Sequence, residues 1–228
     1  MEISLFKSRT LLFGQSSAFI NAIARGAIMM LLILFFQGFK GFDPLVASIL
    51  VAPLGIGLVI TGPIGGYLSD RYGSRAVTTL GLAISLVGLL GLAMIEYNTP
   101  FWLITIWMFI NGIGSGLFQP PNTSAIVGSV PLERRGAASA MRAFFNNTGM
   151  VISITIAIPL LMSTISLDQM INMFVVGGMS QPVYIQVAFT NGVTSAFWIS
   201  SAITLIAIIA SDMRGTDEEA LLQVPISS

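Results

Sequence analysis

Long apolar stretches separated by short polar segments dominate the chain. Six of them are long enough to cross a membrane, because a helix needs ~20 apolar residues to span ~30 Å of hydrocarbon. The six predicted helices cover Gly14–Gly38, Pro44–Leu68, Ala76–Ile95, Phe101–Ser129, Ala137–Ser163 and Thr190–Ser211. The stretches are continuous and lack the alternation of outer-membrane strands. The pattern therefore predicts an all-α integral membrane bundle of six transmembrane helices.

The same pattern divides the chain into three regions. We assign 1–13 to an N-terminal segment, 14–211 to the six-span bundle and 212–228 to an acidic tail that is predicted to be solvated and disordered. One linker, Thr164–Phe189, is long and still fairly apolar. It is predicted to lie at the membrane interface as an amphipathic segment, and a re-entrant or gating element is the alternative.

Composition supports a membrane protein and narrows the chemistry. Of the 228 residues 54% are hydrophobic and 9% are charged, against ~25% charged residues in a soluble domain. The chain has no cysteine and no histidine, which excludes disulfides, thiolate nucleophiles and imidazole-based catalysis. Its formal net charge is zero, so it offers no basic surface for nucleic acid. We predict no cofactor, no metal site and no enzymatic activity.

Basic residues predict the orientation, because they concentrate in cytoplasmic loops. With the N-terminus inside, Lys40 is the only base on the outer side. The cytoplasmic side then receives Lys7, Arg9, Arg71, Arg75, Arg134, Arg135 and Arg214. We therefore expect a multi-pass protein of the cell membrane with both termini in the cytoplasm.

The segment between the second and third helices carries the strongest local motif. It reads Gly66-Tyr67-Leu68-Ser69-Asp70-Arg71-Tyr72-Gly73-Ser74-Arg75. Gly73 permits a tight turn, and Asp70 lies at a helix C-terminus, where the macrodipole disfavours an anion. Asp70 therefore needs a cationic partner or the N-terminus of another helix; an incidental acid in a basic loop is the alternative.

This hairpin resembles the G-x-L-x-D-R-x-G-x-R motif of the major facilitator superfamily. The segments Asn111–Gly116, Pro120–Asn122 and Val130–Ser139 are also similar to the second half of its fourteen-span drug:proton antiporters. The resemblance covers about residues 10–215. It implies a conformational-switch loop made of Gly66, Asp70, Arg71, Gly73 and Arg75.

The resemblance also implies a fold, a function and a partner. The family's unit is two six-helix bundles, each an inverted three-plus-three repeat, and this chain matches one of them. It implies a half-transporter of the multidrug or metabolite efflux type that moves a small solute by alternating access, with ion coupling as an option. The second bundle would be another copy or a separate half. A non-transporting scaffold or assembly subunit and a truncated transporter fragment are the alternatives.

Two arginines fall inside predicted helices. Arg25 shares a helix face with Asn21 and Met29, and we expect this face to line a substrate cavity; an arginine satisfied by backbone carbonyls is the alternative. The resemblance implies that Arg142, at the start of the fifth helix, meets Asp70 of the other bundle. The alternative for Arg142 is that it extends to the membrane interface.

The fourth helix carries a polar stripe. Asn111, Ser115 and Gln119 follow one another at intervals of four residues. Polar side chains at this depth must face protein or water. We therefore expect these three residues to line the substrate cavity, which the resemblance also implies for the fourth helix.

Overall fold

The computed structural model of the chain describes residues 9–214, and all regular elements in that range are helical. The α-helices of the range are α1 (Arg9–Arg25), α2 (Ile28–Leu34), α3 (Pro44–Leu50), α4 (Ala52–Tyr72), α5 (Ser74–Ala93), α6 (Phe101–Gly128), α7 (Arg135–Met162), α8 (Leu167–Asn172) and α9 (Val183–Asp212). Two π-helices, Phe35–Phe39 and Met173–Gly177, continue α2 and α8. Leu132–Arg134 and Gly178–Ser180 form 3-10 turns.

Six segments of this range are long and apolar enough to cross a membrane. We number them spans one to six: Leu11–Phe39, Pro44–Tyr72, Ser74–Ala93, Phe101–Gly128, Leu132–Met162 and Val183–Asp212. The prediction of a six-span all-α bundle is confirmed. The largest difference is in span six, which begins at Val183 rather than Thr190, because an extended Pro182 starts the helix ahead of the apolar run. Residues 215–228 of the predicted disordered tail, with Asp217, Glu218 and Glu219, lie beyond the described residues, as does Lys7. The first residues of that tail differ from the prediction, because Asp212 ends α9 and Arg214 is buried.

The two ends of the bundle carry different turns. We call the end with the turn at Gly73 the motif end, and the end with the loops Lys40–Asp43 and Met94–Pro100 the loop end. The long linker covers the loop end: Met173 is fully buried with Phe39 and Phe189 in one hydrophobic cluster. Lys40 donates to the Tyr97 carbonyl oxygen at 3.3 Å beside these rings, and burial lowers the pKa of Lys40 from its usual value.

Close backbone contacts join spans two, three and four. A Cβ on Gly57 of α4 would lie 2.6 Å from the Phe109 carbonyl oxygen of α6. A Cβ on Gly81 of α5 would lie 2.7 Å from the Phe118 nitrogen. Because only glycine fits at such distances, α4 and α5 pack on α6 with their backbones nearly touching, as small residues permit in membrane bundles.

Spans one, five and six form the other side of the bundle. Gln15 of α1 donates from Nε2 to the Met141 carbonyl oxygen of α7 at 3.4 Å. Further along the same pair, a Cβ on Gly26 would lie 2.7 Å from the Met150 Cα. These contacts advance together along both helices, so α1 and α7 run parallel and in contact over several turns.

Two spans are covered less than the others. In the most apolar stretch of spans two and five 22% of the residues are buried, whereas the share is 44% to 56% in the other four spans. The uncovered part of span two includes Gly55 and Gly66, where an added Cβ would meet nothing within 4 Å. Spans two and five therefore present the largest open faces of the described bundle.

Candidate functional site

The hairpin between spans two and three turns at Gly73. This residue has φ +85° and ψ +149°, a conformation that L side chains rarely adopt. Its N–H donates to the Ser69 carbonyl oxygen at 2.9 Å and ends α4. The guanidinium of Arg71 lies 5.6 Å from the ring centroid of Tyr72. The turn thus holds Asp70 and Arg71 at the exposed surface of the motif end.

The last arginine of the hairpin is paired within the chain. Arg75 donates from Nη2 to Oδ1 of Asp212 at 2.9 Å, and both side chains are exposed. This ion pair connects the start of span three to the end of span six. Exposed pairs of this kind contribute ~0.2–1 kcal/mol, so Arg75 positions the hairpin without fixing it rigidly.

Asp70 has no such partner. Its exposed carboxylate makes no hydrogen bond and no ion pair with any residue between 9 and 214. Gly66, one turn earlier in α4, opens onto free space. An acid at a helix C-terminus is disfavoured by the macrodipole. The bundle by itself therefore leaves the central acid of the hairpin without compensation.

Span one is interrupted beside Arg25. Helix α1 ends at Arg25 and α2 begins at Ile28. At this break the Ala27 N–H donates to Oγ of Ser153 in α7 at 2.9 Å. Arg25 lies 14 residues after Leu11 and 14 before Phe39, at the centre of the span. Gly26, which stands in the break, was the available signal, because glycine weakens the interior of a helix.

The Arg25 side chain is half-buried and makes no hydrogen bond or ion pair with the described residues. Its place at the end of α1 gives a favourable dipole contribution of ~0.3–1 kcal/mol. A charge at the membrane centre costs at least ~2.5–3.5 kcal/mol. The helix dipole therefore does not compensate the cost of the Arg25 charge. No hydrogen bond supports the alternative in which backbone carbonyls satisfy Arg25.

The two neighbours predicted on the face of Arg25 differ in burial. Asn21 is 6% exposed and Met29 is 55% exposed. The amide of Asn21 also makes no hydrogen bond within 9–214. The row of Asn21, Arg25 and Met29 thus passes from the interior of the bundle to its open surface, with polar groups available along it.

Arg142 lies on α7 directly after Met141, whose carbonyl oxygen accepts from Gln15. Its Nε is buried and has no hydrogen-bond partner among the described residues. Helix α7 packs along α1, and the pairing of Gln15 with Met141 places Arg142 about nine residues nearer the motif end than Arg25. The structure therefore brings these two predicted residues to neighbouring helices as a pair of like charges.

The polar stripe of span four is divided between two environments. Asn111 is 1% exposed and donates from Nδ2 to Oγ and the carbonyl oxygen of Ser85 in α5, at 2.8 and 3.0 Å. Ser115 is buried in the same region. Gln119 is half-buried, and its Nε2 has no hydrogen-bond partner among residues 9–214. Asn111 and Ser115 thus lie inside the bundle, whereas Gln119 retains an available donor.

Sequence reasoning missed one polar cluster at the motif end. Arg214 is 1% exposed and donates from Nη1 to Oδ1 of Asn122 at 2.9 Å. Asn122 in turn donates from Nδ2 to the Gly14 carbonyl oxygen at 3.2 Å. From its place after the last apolar run, the sequence indicates only a basic loop residue at Arg214. Asn122 after two prolines in an apolar helix was the available signal, since a buried amide requires partners.

Comparison with known proteins identifies the family. The family model described as Major Facilitator Superfamily matches residues 16–214. The riboflavin transporter RibZ of Clostridioides difficile is 22% identical over 96% of this chain and 46% of its own length. The methyl viologen resistance protein SmvA of Salmonella typhimurium is 30% identical over 68% of this chain and 32% of its own. The multidrug transporter protein MdtP of Bacillus subtilis is 29% identical over 66% and 28%.

The chain therefore spans less than half the length of these curated relatives. The match begins within span one, covers the other five spans, and includes the hairpin with Asp70 and both arginines within the membrane. Such a match, together with the six apolar helices, makes this chain a multi-pass membrane protein of a transporter family. The chain belongs to the Major Facilitator Superfamily.

Proposed function

We propose that this chain forms one six-helix half of a carrier that moves a small solute across the cell membrane by alternating access. A second six-helix bundle, either another copy or a separate half, covers spans two and five. Both termini lie in the cytoplasm, where the positive-inside rule places the arginine-rich motif end. Transport of drugs or of a metabolite is what the names of the relatives support, and within this proposal the direction is efflux, with ion coupling as an option.

The low coverage of spans two and five carries this proposal. Only 22% of their apolar stretches is buried, and Gly55 and Gly66 leave space for close approach of another helix. A lipid-facing surface needs no such space. The open face of span five, which packs along span one with its half-buried Arg25, therefore favours a cavity that closes only when two bundles meet.

Asp70 and Arg142 supply the contact between the bundles in this proposal. Each has charge that the described chain leaves uncompensated. Asp70 of one bundle pairs with Arg142 and the start of α7 in the other while the cytoplasmic side is closed. The contact breaks when that side opens, so the hairpin acts as the conformational switch.

Solute counterflow in proteoliposomes tests the function. Proteoliposomes that contain the purified assembly are loaded with unlabelled riboflavin or another candidate solute. They are expected to accumulate the labelled solute from outside. Asp70→Asn is expected to abolish the exchange, and Asp168→Asn, an exposed acid of the long linker, serves as control. An assembly that folds and pairs but exchanges no solute across a broad panel would favour a scaffold role instead.

A further inference from the structure

Two arginines lie within the membrane-spanning part of this bundle without a counter-charge. Arg25 is at the centre of span one. Arg142 is seven residues into α7, or ~10 Å along the helix. The six acidic residues of the described range all lie in loops or within three residues of a span end: Asp43, Asp70, Glu96, Glu133, Asp168 and Asp212. The described chain thus offers no carboxylate at the depth of Arg25.

Hydrogen bonding does not satisfy these groups either. The side chains of Arg25 and Asn21 make no hydrogen bond with any described residue. The Nε atom of Arg142 is buried and also has no hydrogen-bond partner among those residues. Guanidinium groups carry donors only. The group that would satisfy these arginines is therefore a hydrogen-bond acceptor that also carries negative charge.

The register of α1 and α7 separates the two arginines in depth. Gln15 pairs with Met141, so Arg25 lies about nine residues further into the membrane than Arg142, or ~13 Å. Asp70 of a second bundle, which approaches from the motif end, reaches Arg142 first. Arg25 remains available at the centre, next to the break in span one.

We propose that Arg25, assisted by Asn21, binds an anionic oxygen group of the transported solute. A carboxylate or phosphonate fits, because a guanidinium binds such groups through two parallel hydrogen bonds. The inference rests on the proposed function, since it names the chemical class of the solute. A carboxylate of the second bundle would supply the same chemistry, and the experiment below distinguishes the two sources.

Aromatic surface lies near this pair of charges. The rings of Phe19 in α1 and Phe145 in α7 are 5.5 Å apart between centroids, and Phe144 packs on Phe145 at 5.6 Å. Phe145 follows Arg142 by one helical turn. Benzoate combines an anionic group with an aromatic ring, which makes it a suitable probe of this part of the bundle.

Thermal unfolding of the purified assembly tests the site without requiring transport. Benzoate is compared with neutral benzamide at constant ionic strength. At ~10 times its Kd, benzoate is expected to raise the melting temperature by ~3–6 °C, and benzamide is not. Arg25→Gln is expected to remove the shift, whereas Arg25→Lys keeps part of it. Asp168→Asn, which removes an exposed charge of the long linker, keeps all of it.

The outcomes separate the possible sources of the anion. A benzoate shift that Arg25→Gln abolishes supports the proposal. If benzoate does not shift the melting temperature of the wild type, and Arg25→Gln lowers the mass of the assembly, the proposal is overturned. The anion that Arg25 binds is then a carboxylate of the second bundle and not the solute. The site is also overturned if benzoate still raises the melting temperature of Arg25→Gln. The same holds if neither the melting temperature with benzoate nor the mass of the assembly changes. Should Arg25→Gln fail to fold, Asn21→Ala must still weaken benzoate binding severalfold.

A failure of the anion site can be told apart from a failure of the proposed function. An assembly that exchanges solute while Arg25→Gln alters neither binding nor mass refutes only the anion site. An assembly that binds benzoate through Arg25 but exchanges nothing refutes only the transport function.

Discussion

Arg214 at the end of span six donates to Asn122 of span four across 2.9 Å, inside the motif end of the bundle. The two residues are 92 positions apart in the chain. Asn122 passes the connection on to the Gly14 carbonyl oxygen of span one. One amide thus joins the motif ends of three spans, directly after Pro120 and Pro121 interrupt the hydrogen bonding of α6.

Removing this amide should destabilise the bundle. Asn122→Ala takes away a hydrogen bond to a charged group and leaves a buried carbonyl and guanidinium less satisfied, at a cost of ~1.5–3 kcal/mol. The melting temperature in detergent is expected to fall by several degrees. Asn98→Ala, in an exposed loop, is the control. Equal melting temperatures for the two variants would show that the connection does not stabilise the bundle.

Two glycines of α4 should respond oppositely to the same substitution. Gly57→Ala places a methyl group 2.6 Å from a carbonyl oxygen of α6 and is expected to cost ~1–3 kcal/mol. Gly55→Ala meets open space and is expected to be neutral or to stabilise the helix by up to ~1 kcal/mol. Melting curves of the two variants check this difference. A tolerant Gly57 would contradict the close packing of spans two and four.

The turn at Gly73 should not tolerate a side chain. Gly73→Ala forces alanine into a conformation that costs ~1–3 kcal/mol. Gly128→Ala, at the open end of a helix, is the matched control and should be neutral. Unfolding temperatures of both variants give the comparison. An unaffected Gly73→Ala would mean that the hairpin adopts another turn.

The switch contact of Asp70 predicts rescue by charge exchange. Asp70→Arg alone is expected to abolish counterflow without unfolding the bundle, because this side chain is exposed and unpaired in the described structure. Adding Arg142→Asp is expected to restore part of the activity. Loss without rescue, in a double variant that still folds, would argue against pairing between these two residues.

The elements that the sequence predicts well are those that depend on local patterns. Six long apolar runs predict six spans whatever their neighbours, and Gly73 predicts a turn because few other residues permit it. Asn111 shows where local reasoning stops. A polar side chain within the membrane can face water or protein, and only the packing of α5 on α6 directs it to Ser85. The break beside Arg25 likewise depends on Ser153, 126 residues away.

The mass of the complex in mild detergent tests the central claim most directly. One chain has a mass of 24.3 kDa. Because spans two and five are open, we predict by native mass spectrometry a complex that contains a second six-helix bundle, either a dimer of this chain or a pair with another half. A folded, stable single copy at 24.3 kDa, with no second bundle at any concentration, would contradict it.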